Sequence, residues 1–267
     1  MEQTVSGKVA ALMRRWIYRR TVLPKTGTLP IVAEIHSNDL FFVPPTVDLD
    51  YRPTFGFTGY LDARHAAWAD WPLNSDRILE HRIFGWLRRA DALKLYEMAA
   101  LCEGDILELG THQGLSTHIM AQAVRMFGSR RRIESFDLDP QFVARARENL
   151  ASEIDAGVVA IEVGEAAEQC HRFIADGRSY GFVFVDHSHH FGPMCEICRL
   201  LPAVVRPGGF VLFHDFTDPR SREAVEGSPE PDFGVLAACR AHLPSTAFRY
   251  FGAYGCSGLF RRTRRAA

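Results

Sequence analysis

The chain has no run of roughly 18 apolar residues, the length a helix needs to cross a bilayer. It has no large excess of either charge. The net charge is −1, whereas a dedicated nucleic-acid binder carries a strong basic surplus, so no nucleic-acid partner is expected. Cysteine is sparse, six in 267 residues, which is no disulfide framework for a chain this long. Cys195 and Cys198 form a single CxxC with no second one to complete a metal site. Both read as buried thiols in a helix, and a reducing cytoplasm is the default setting. The N-terminal stretch is basic and amphipathic, with Val9, Leu12, Met13, Trp16 and Ile17 on its apolar side. It lacks the compact apolar run and small-residue cleavage site of a secretory signal. There is no internal repeat and no low-complexity tract.

What is present is a large apolar fraction, 47%, enough to bury the core of one α/β domain plus an N-terminal extension. Basic residues crowd both ends: Lys8, Arg14, Arg15, Arg19, Arg20 and Lys25 at one, Arg261, Arg262, Arg264 and Arg265 at the other. They read as solvated ends, or as a site for an acidic partner or membrane surface. Residues 1–75 are expected to form an accessory extension and residues 76–267 the main domain. Residues 25–75 are rich in proline and aromatics without a clear period. Phe41, Phe42, Tyr51, Phe55, Phe57, Tyr60, Trp68 and Trp71 there pack the extension onto the core or a second copy, or line a pocket. Residues 76–101 read as helical, interrupted at Ala90-Asp91, with Ile78, Leu79, Ile83, Phe84, Leu87, Leu93, Leu95, Tyr96 and Met98 as core positions.

From residue 105 onward, short β-rich runs alternate with helical patterns, the signature of a parallel sheet with crossover helices. Strands are expected at Asp105–Leu109, Arg132–Phe136, Val158–Val163, Phe182–Val185 and Phe210–Phe213. Helices are expected at Leu115–Phe127, from Pro140 to Ala151, Glu165–Ala175, Pro193–Val205 and Phe233–His242. Arg206–Gly209 reads as a sharp turn, and Ala247–Phe251 with Ser257–Arg261 as an antiparallel edge pair. The fold class is therefore α/β, a Rossmann-like, mostly parallel seven-stranded sheet with helices on both faces.

In such a sheet, ligands bind beyond the carboxyl ends of the strands. Five of these ends carry acidic residues or imidazoles: Glu108-Leu109-Gly110, Asp137, Gly164-Glu165, Asp186 and His214-Asp215. Gly110 and Gly114 permit a tight turn and close backbone approach. His112 replaces the second glycine of a dinucleotide motif, so a zwitterionic ligand suits this turn better than a phosphate. Asp137 has the spacing of a carboxylate that accepts from a ribose diol. Asp139 is the better cap for the helix opened by Pro140. Glu165 serves equally as a helix cap or beside an adenine.

Ile106-Leu-Glu108-Leu-Gly110-Thr111, Ser135-Phe-Asp137, Gly164-Glu165-Ala166, Phe184-Val-Asp186, Pro207-Gly-Gly209 and His214-Asp215 together resemble a class I S-adenosylmethionine-dependent methyltransferase. The resemblance spans about residues 76–262. It implies that Glu108, Gly110, Thr111, Gly114 and Ser116 hold the methionine end of S-adenosylmethionine, with Asp186 nearby. It also implies that Asp137 binds the ribose and that Gly164, Glu165 and Ala166 line the adenine.

Asp186-His187-Ser188-His189-His190 and His214-Asp215 are similar to the metal-dependent O-methyltransferases that modify sugars of macrolide and aminocoumarin antibiotics. By that likeness Asp186, His214 and Asp215 hold a divalent ion, magnesium first. His214 stands where that family usually has an acidic residue, and imidazole better suits zinc, manganese or iron; it could instead orient a ligand. His189, three residues after Asp186, matches a catalytic histidine of some members, with His190 and His187 behind it. The implied reaction is methylation of a hydroxyl on a small acceptor, a sugar of a natural product or glycan, with the segment Phe216–Asp232 as a substrate loop. Two other readings stay open. One is a metal-dependent oxygenase, since the cephalosporin hydroxylase group shares the GT-x-x-G and DxxH layout. The other is a non-catalytic binding module of the same fold. A homo-oligomer is left open.

Overall fold

Alternation decides which face of the sheet each residue serves. Ile106, Phe182, Phe184, Phe210 and Leu212 join one apolar cluster, while Leu107, Leu109, Val183, Val185, Val211 and Phe213 join another. Strands buried on both faces need side chains that are apolar in both directions. That is why these strands read as unbroken apolar runs. The computed structural model describes residues 50–127, 130–218, 220 and 233–264.

The elements run α1 Ala63–Ala69, α2 Arg89–Leu101, β1 Ile106–Leu109, α3 Leu115–Met126, β2 Ile133–Asp137, α4 Pro140–Asn149, α5 Ala151–Asp155, β3 Val159–Val163, α6 Ala166–Ala175, β4 Tyr180–Val185, α7 Phe191–Val204, β5 Val205–Phe213, α8 Val235–His242, β6 Phe248–Tyr254 and β7 Ser257–Arg262. They build a seven-stranded sheet of order β3-β2-β1-β4-β5-β7-β6. The first five strands are parallel, and β7 pairs antiparallel with both β5 and β6. Strand order reverses between β1 and β4, so a cleft opens beyond their carboxyl ends. No helix among the described residues is long and apolar enough to cross a membrane.

Hydrogen bonds carry the sheet register past the strand tips. Gly110 N donates to Phe136 O at 2.8 Å, Gly164 N to Asp137 O at 2.9 Å, Asp186 N to Leu109 O at 2.7 Å and His214 N to Val185 O at 3.0 Å. The residues that follow the strands are thus set at one level along the rim.

Residues 50–75 are stitched to α2. Phe55, Leu61 and Trp68 belong to the same core cluster as α2 and α3, with Tyr51, Phe57, Tyr60 and Trp71 packed against it. Buried Lys94 and Glu97 form an ion pair at 2.5 Å. Lys94 also donates to Arg52 O and Thr54 Oγ1, and Glu97 accepts from the N–H groups of Thr54 and Phe55. A buried charge is tolerated when it is paired and hydrogen-bonded in this way. The described aromatics of the extension therefore pack on the core, and Tyr51 and Tyr60 also line a cavity of about 380 Å³; Phe41, Phe42 and the basic N-terminal residues lie outside the described residues.

Three sequence expectations are corrected. Residues 76–88 are not helical. Asn74 Oδ1 accepts from Asp76 N and Ile78 N, Arg77 takes a positive φ of 63°, and Leu73 bridges Leu79 in antiparallel fashion. An asparagine that bonds its own following backbone makes a turn and overrides the apolar period. Phe84, expected in the core, is 47% exposed. Arg206–Gly209 does not end the chain direction either. It is the first half of β5, where the register shifts and Gly208 has φ 81°.

Candidate active site

The turn after β1 builds one side of the cleft. Gly110 has φ 102°, and a Cβ there would lie 2.1 Å from the carbonyl oxygen of Asp186. Only glycine lets the β1 and β4 tips approach this closely. Gly114 starts α3 with φ 92°, but its bare Cα is used against Leu150 of the α4 end, where a Cβ would sit 2.7 Å away.

Glu108 is fully buried and accepts from the hydroxyls of Ser116, Thr117 and Ser135. Burial pushes its carboxyl up to about 7 against the opposing pull of those three donors. It shapes the turn from behind. Asp137 lines the cleft. Its Oδ2 accepts from His112 N at 2.7 Å and its Oδ1 from Asp139 N at 3.0 Å. Asp139 caps α4 through Gln141 N, and Glu165 caps α6 through Glu168 N.

The other side is made by the tips of β4 and β5. Asp186 Oδ1 and Asp215 Oδ2 lie 3.2 and 3.3 Å from His214 Nδ1, and His189 Nδ1 lies 3.1 Å from Asp215 Oδ2. Ligand atoms of Asp186, His189 and Asp215 all fall within 4.8 Å of one another. His214 Nδ1 has no aligned hydrogen bond despite those short distances. Burial acts to lower the His214 pKa, yet Asp186, Cys256 and Asp215 outweigh it and hold the ring well above the ordinary imidazole value. Asp215 is driven the opposite way: burial would raise it, but His214, His189 and Arg220 hold it far below the usual carboxylate range. Two carboxylates and two imidazoles with poorly aligned mutual bonds fit a bound divalent cation.

His189 stacks on Phe233, centroids 4.6 Å apart and planes 6° apart. Arg220 covers the other ring at 3.7 Å from the Phe233 centroid and pairs with Asp218 at 2.9 Å. Gly234 N donates to His189 O at 2.6 Å. Asp215 on Nδ1 leaves Nε2 of His189 as the nitrogen that can take a proton. His187 faces the same cleft with both ring nitrogens buried and unbonded, and burial lowers its pKa to about 4.

The cleft encloses about 650 Å³, within the usual range for small-molecule sites. Gly110, Thr111, Ser116, Asp137, Asp186, His189, His214 and Asp215 are all brought to it. Glu108, Gly114, Gly164, Glu165, Ala166 and His190 do not line it. His190 sits exposed at the N-cap of α7.

Sequence reasoning missed the aromatic mouth. Phe84 and Trp86 are 47% and 56% exposed, and with Phe142 they surround the His112 ring at 5.8, 5.0 and 4.3 Å. The Phe-Gly-Trp triplet was its available signal. It also missed Cys256 and Phe233, which only the fold brings near the rim. Most of the segment Phe216–Asp232, read as a substrate loop, lies outside the described residues.

The residues present also fit S-adenosylmethionine. A tight glycine turn, a ribose-height carboxylate, two orphaned imidazole nitrogens and the exposed apolar Leu138 and Val163, 71% and 50% accessible at the ends of β2 and β3, are groups such a ligand would satisfy or cover.

Residues 107–216 match a family described as a methyltransferase domain. Several solved structures share the fold. The O-methyltransferase TomG from Streptomyces achromogenes, in complex with SAM, superposes with a TM-score of 0.53 at 23% identity, over 66% of this chain and 81% of that one. Cofactor-bound Rv0187 from MTB gives 0.53 at 19% identity, over 76% and 89%. An O-methyltransferase from Bacillus cereus in complex with SAH gives 0.51 at 16% identity, over 65% and 78%. No curated protein matches the chain. Residues 107–216 are thus similar to a methyltransferase domain, and the chain shares its fold with cofactor-bound O-methyltransferases of known structure.

Proposed function

We propose that this protein transfers a methyl group from S-adenosylmethionine to a hydroxyl oxygen of a small acceptor, a sugar hydroxyl by preference, with a divalent ion at the tips of β4 and β5. Residues 76–267 would carry the chemistry and residues 1–75 would serve as an accessory extension. One observation supports this above all: a ribose-type carboxylate, Asp137, shares one cleft with two acids, Asp186 and Asp215, that stand within ligand-atom reach of both His214 and His189.

When bound, S-adenosylmethionine supplies an electrophilic methyl and a divalent ion makes the acceptor hydroxyl more acidic. Asp137 would hold the ribose, and Gly110, Thr111 and Ser116 would admit the amino-acid end, with the buried ring nitrogens of His187 in the same cleft. Asp186, Asp215 and His214 would hold the ion. His189, oriented by Asp215 and Phe233, would take the proton of the acceptor hydroxyl at Nε2. The six free, buried cysteines suit a reducing cytoplasmic setting.

Calorimetric titration of the full chain with S-adenosylmethionine tests the reading. Saturable binding is expected, with Asp137→Ala weakening it about 10- to 100-fold, the loss of two charge-assisted hydrogen bonds. Absence of binding at millimolar cofactor would overturn it.

A further inference from the structure

The ion cluster has a rear wall that the reaction itself does not use. Asp91 is the third residue of α2 and is completely buried. Its carboxylate accepts from Arg88 N at 2.9 Å, Cys256 N at 3.1 Å and Ser257 Oγ at 2.7 Å. These bonds pin the β6–β7 turn against the start of α2. They also place the Cys256 thiol between Asp91 and His214: Sγ lies 3.7 Å from Asp91 Oδ2 and 3.1 Å from His214 Nε2.

The direction of this chain favours one nitrogen of His214 as the ligand. Asp91 accepts the S–H of Cys256, so the sulfur is left to accept from His214. Nε2 then carries a hydrogen, and on binding an ion Nδ1 would give up its own to the solvent and present the lone pair. Nδ1 is also the atom 3.2 and 3.3 Å from the two rim carboxylates and without an aligned hydrogen bond. A ligating histidine is regularly held by a partner on its other nitrogen, and that partner sets both ring orientation and affinity. Asp186 and Asp215 alone would make an all-oxygen site, which suits magnesium; an oriented imidazole beside them suits a borderline transition metal.

We propose that Asp91 and Cys256 lock His214 as a nitrogen ligand, so that the cleft selects manganese, iron, cobalt or zinc over magnesium. This rests on the metal-assisted reading above and names the class of its ion. Cys256 and Asp91 are positioning residues; neither touches the reacting atoms in this scheme.

The test uses the full chain freed of metal by chelation and titrated separately with cobalt, manganese and magnesium chlorides. Cobalt is followed by its visible ligand-field bands and the others by calorimetry, with S-adenosylmethionine binding and melting temperature measured on the same samples. Cobalt and manganese are expected to bind at least about 10-fold tighter than magnesium, with cobalt bands of a nitrogen-containing site. His214→Asp, which restores an all-oxygen set, should shrink the cobalt-to-magnesium ratio about 10-fold or more. Cys256→Ala should weaken cobalt about 10-fold and leave cofactor binding and the magnesium affinity of the His214→Asp background unchanged. Equal affinity for magnesium and cobalt in the wild type, or a ratio untouched by His214→Asp in a folded variant, would overturn the proposal while leaving metal-assisted transfer standing. Normal cofactor binding with no bound ion of any kind overturns both the proposal and the metal's part in the reaction. Loss of cofactor binding in the wild type instead condemns the methyl-transfer reading.

Discussion

The two halves of the rim are built on opposite terms. On the β1–β2 side, the site acids are satisfied by their own chain. Glu108 is held by three hydroxyls, and Asp137 by two backbone N–H groups. On the β4–β5 side the charged groups face mainly each other, and three nitrogens of His187 and His214 are buried without aligned partners, against one, His112 Nδ1, on the β1 side. Buried polar groups that lack partners are costly. The first half is therefore preorganised and would change little on binding, while the second is incomplete until a ligand satisfies it. The contrast also holds in the backbone. Each half turns on a left-handed residue, but Gly110 at φ 102° has no room for a side chain, whereas Asp215 at φ 52° keeps one that the site needs.

The harshest way to break the preorganised half is Gly110→Ala. The new methyl would meet the backbone carbonyl oxygen of Asp186 at 2.1 Å, at a φ that alanine resists. A loss of roughly 4 kcal/mol or more in unfolding free energy is expected, read by denaturant titration, together with loss of cofactor binding. A variant that melts like the wild type would show that the β1–β4 approach is looser than drawn.

Glu108 gives the next effect, through pH. Its folded pKa of about 7 stands above the ordinary 4.5 because burial disfavours the charge. The folded state thus holds a proton that the unfolded chain has already released. Stability from this group is full below pH 4.5 and is lost as pH rises through 7. The loss is roughly 3 kcal/mol at most. Glu108→Gln should flatten this part of a stability–pH profile; an unchanged slope would assign it to other groups.

Part of this half of the rim was legible in the sequence because its logic is local: Gly110, Thr111, Ser116 and Asp137 reach the cleft, whereas Glu108, Gly114 and the turn after β3 do not line it. A glycine turn follows an apolar strand, Asp139 precedes Pro140, and each can be read within a few residues. The sheet itself was legible for the same reason, through runs such as Phe182–Val185. The β4–β5 half was legible only as far as Asp186, His189 and His214-Asp215, the strand tips. Cys256 reaches His214 across 42 positions and Asp91 reaches Ser257 across 166, and no local pattern announces such pairs. The false helix over residues 76–88 shows the converse failure: an apolar period was present, but the turn made by Asn74 decided the backbone.

Removing Asp215 sharpens the contrast from the incomplete side. Asp215→Ala, or excess chelator on the wild type, should lower turnover about 100-fold or more, while the calorimetric affinity for S-adenosylmethionine stays within about threefold. Separate loss of the two readouts is what a divided rim requires. If both fall together, the halves form one cooperative unit and the division described above is wrong. Full turnover in chelator would remove the ion from the mechanism.

The smallest effect decides where the preorganised half ends. Glu165 follows β3, does not line the cleft, and caps α6 by accepting from Glu168 N at 2.8 Å. As a cap alone, its replacement in Glu165→Ala should cost about 1 kcal/mol of stability and leave cofactor affinity within twofold. If its carboxylate also meets the adenine side of the ligand, affinity should fall about 10-fold with the same melting shift. The Glu165→Gln variant separates the two roles further: an amide oxygen still accepts from Glu168 N, so stability is largely kept, while its charge, which acts on His187 in the cleft, is gone. A drop in affinity with Gln but not in stability would extend the ligand-facing rim to β3.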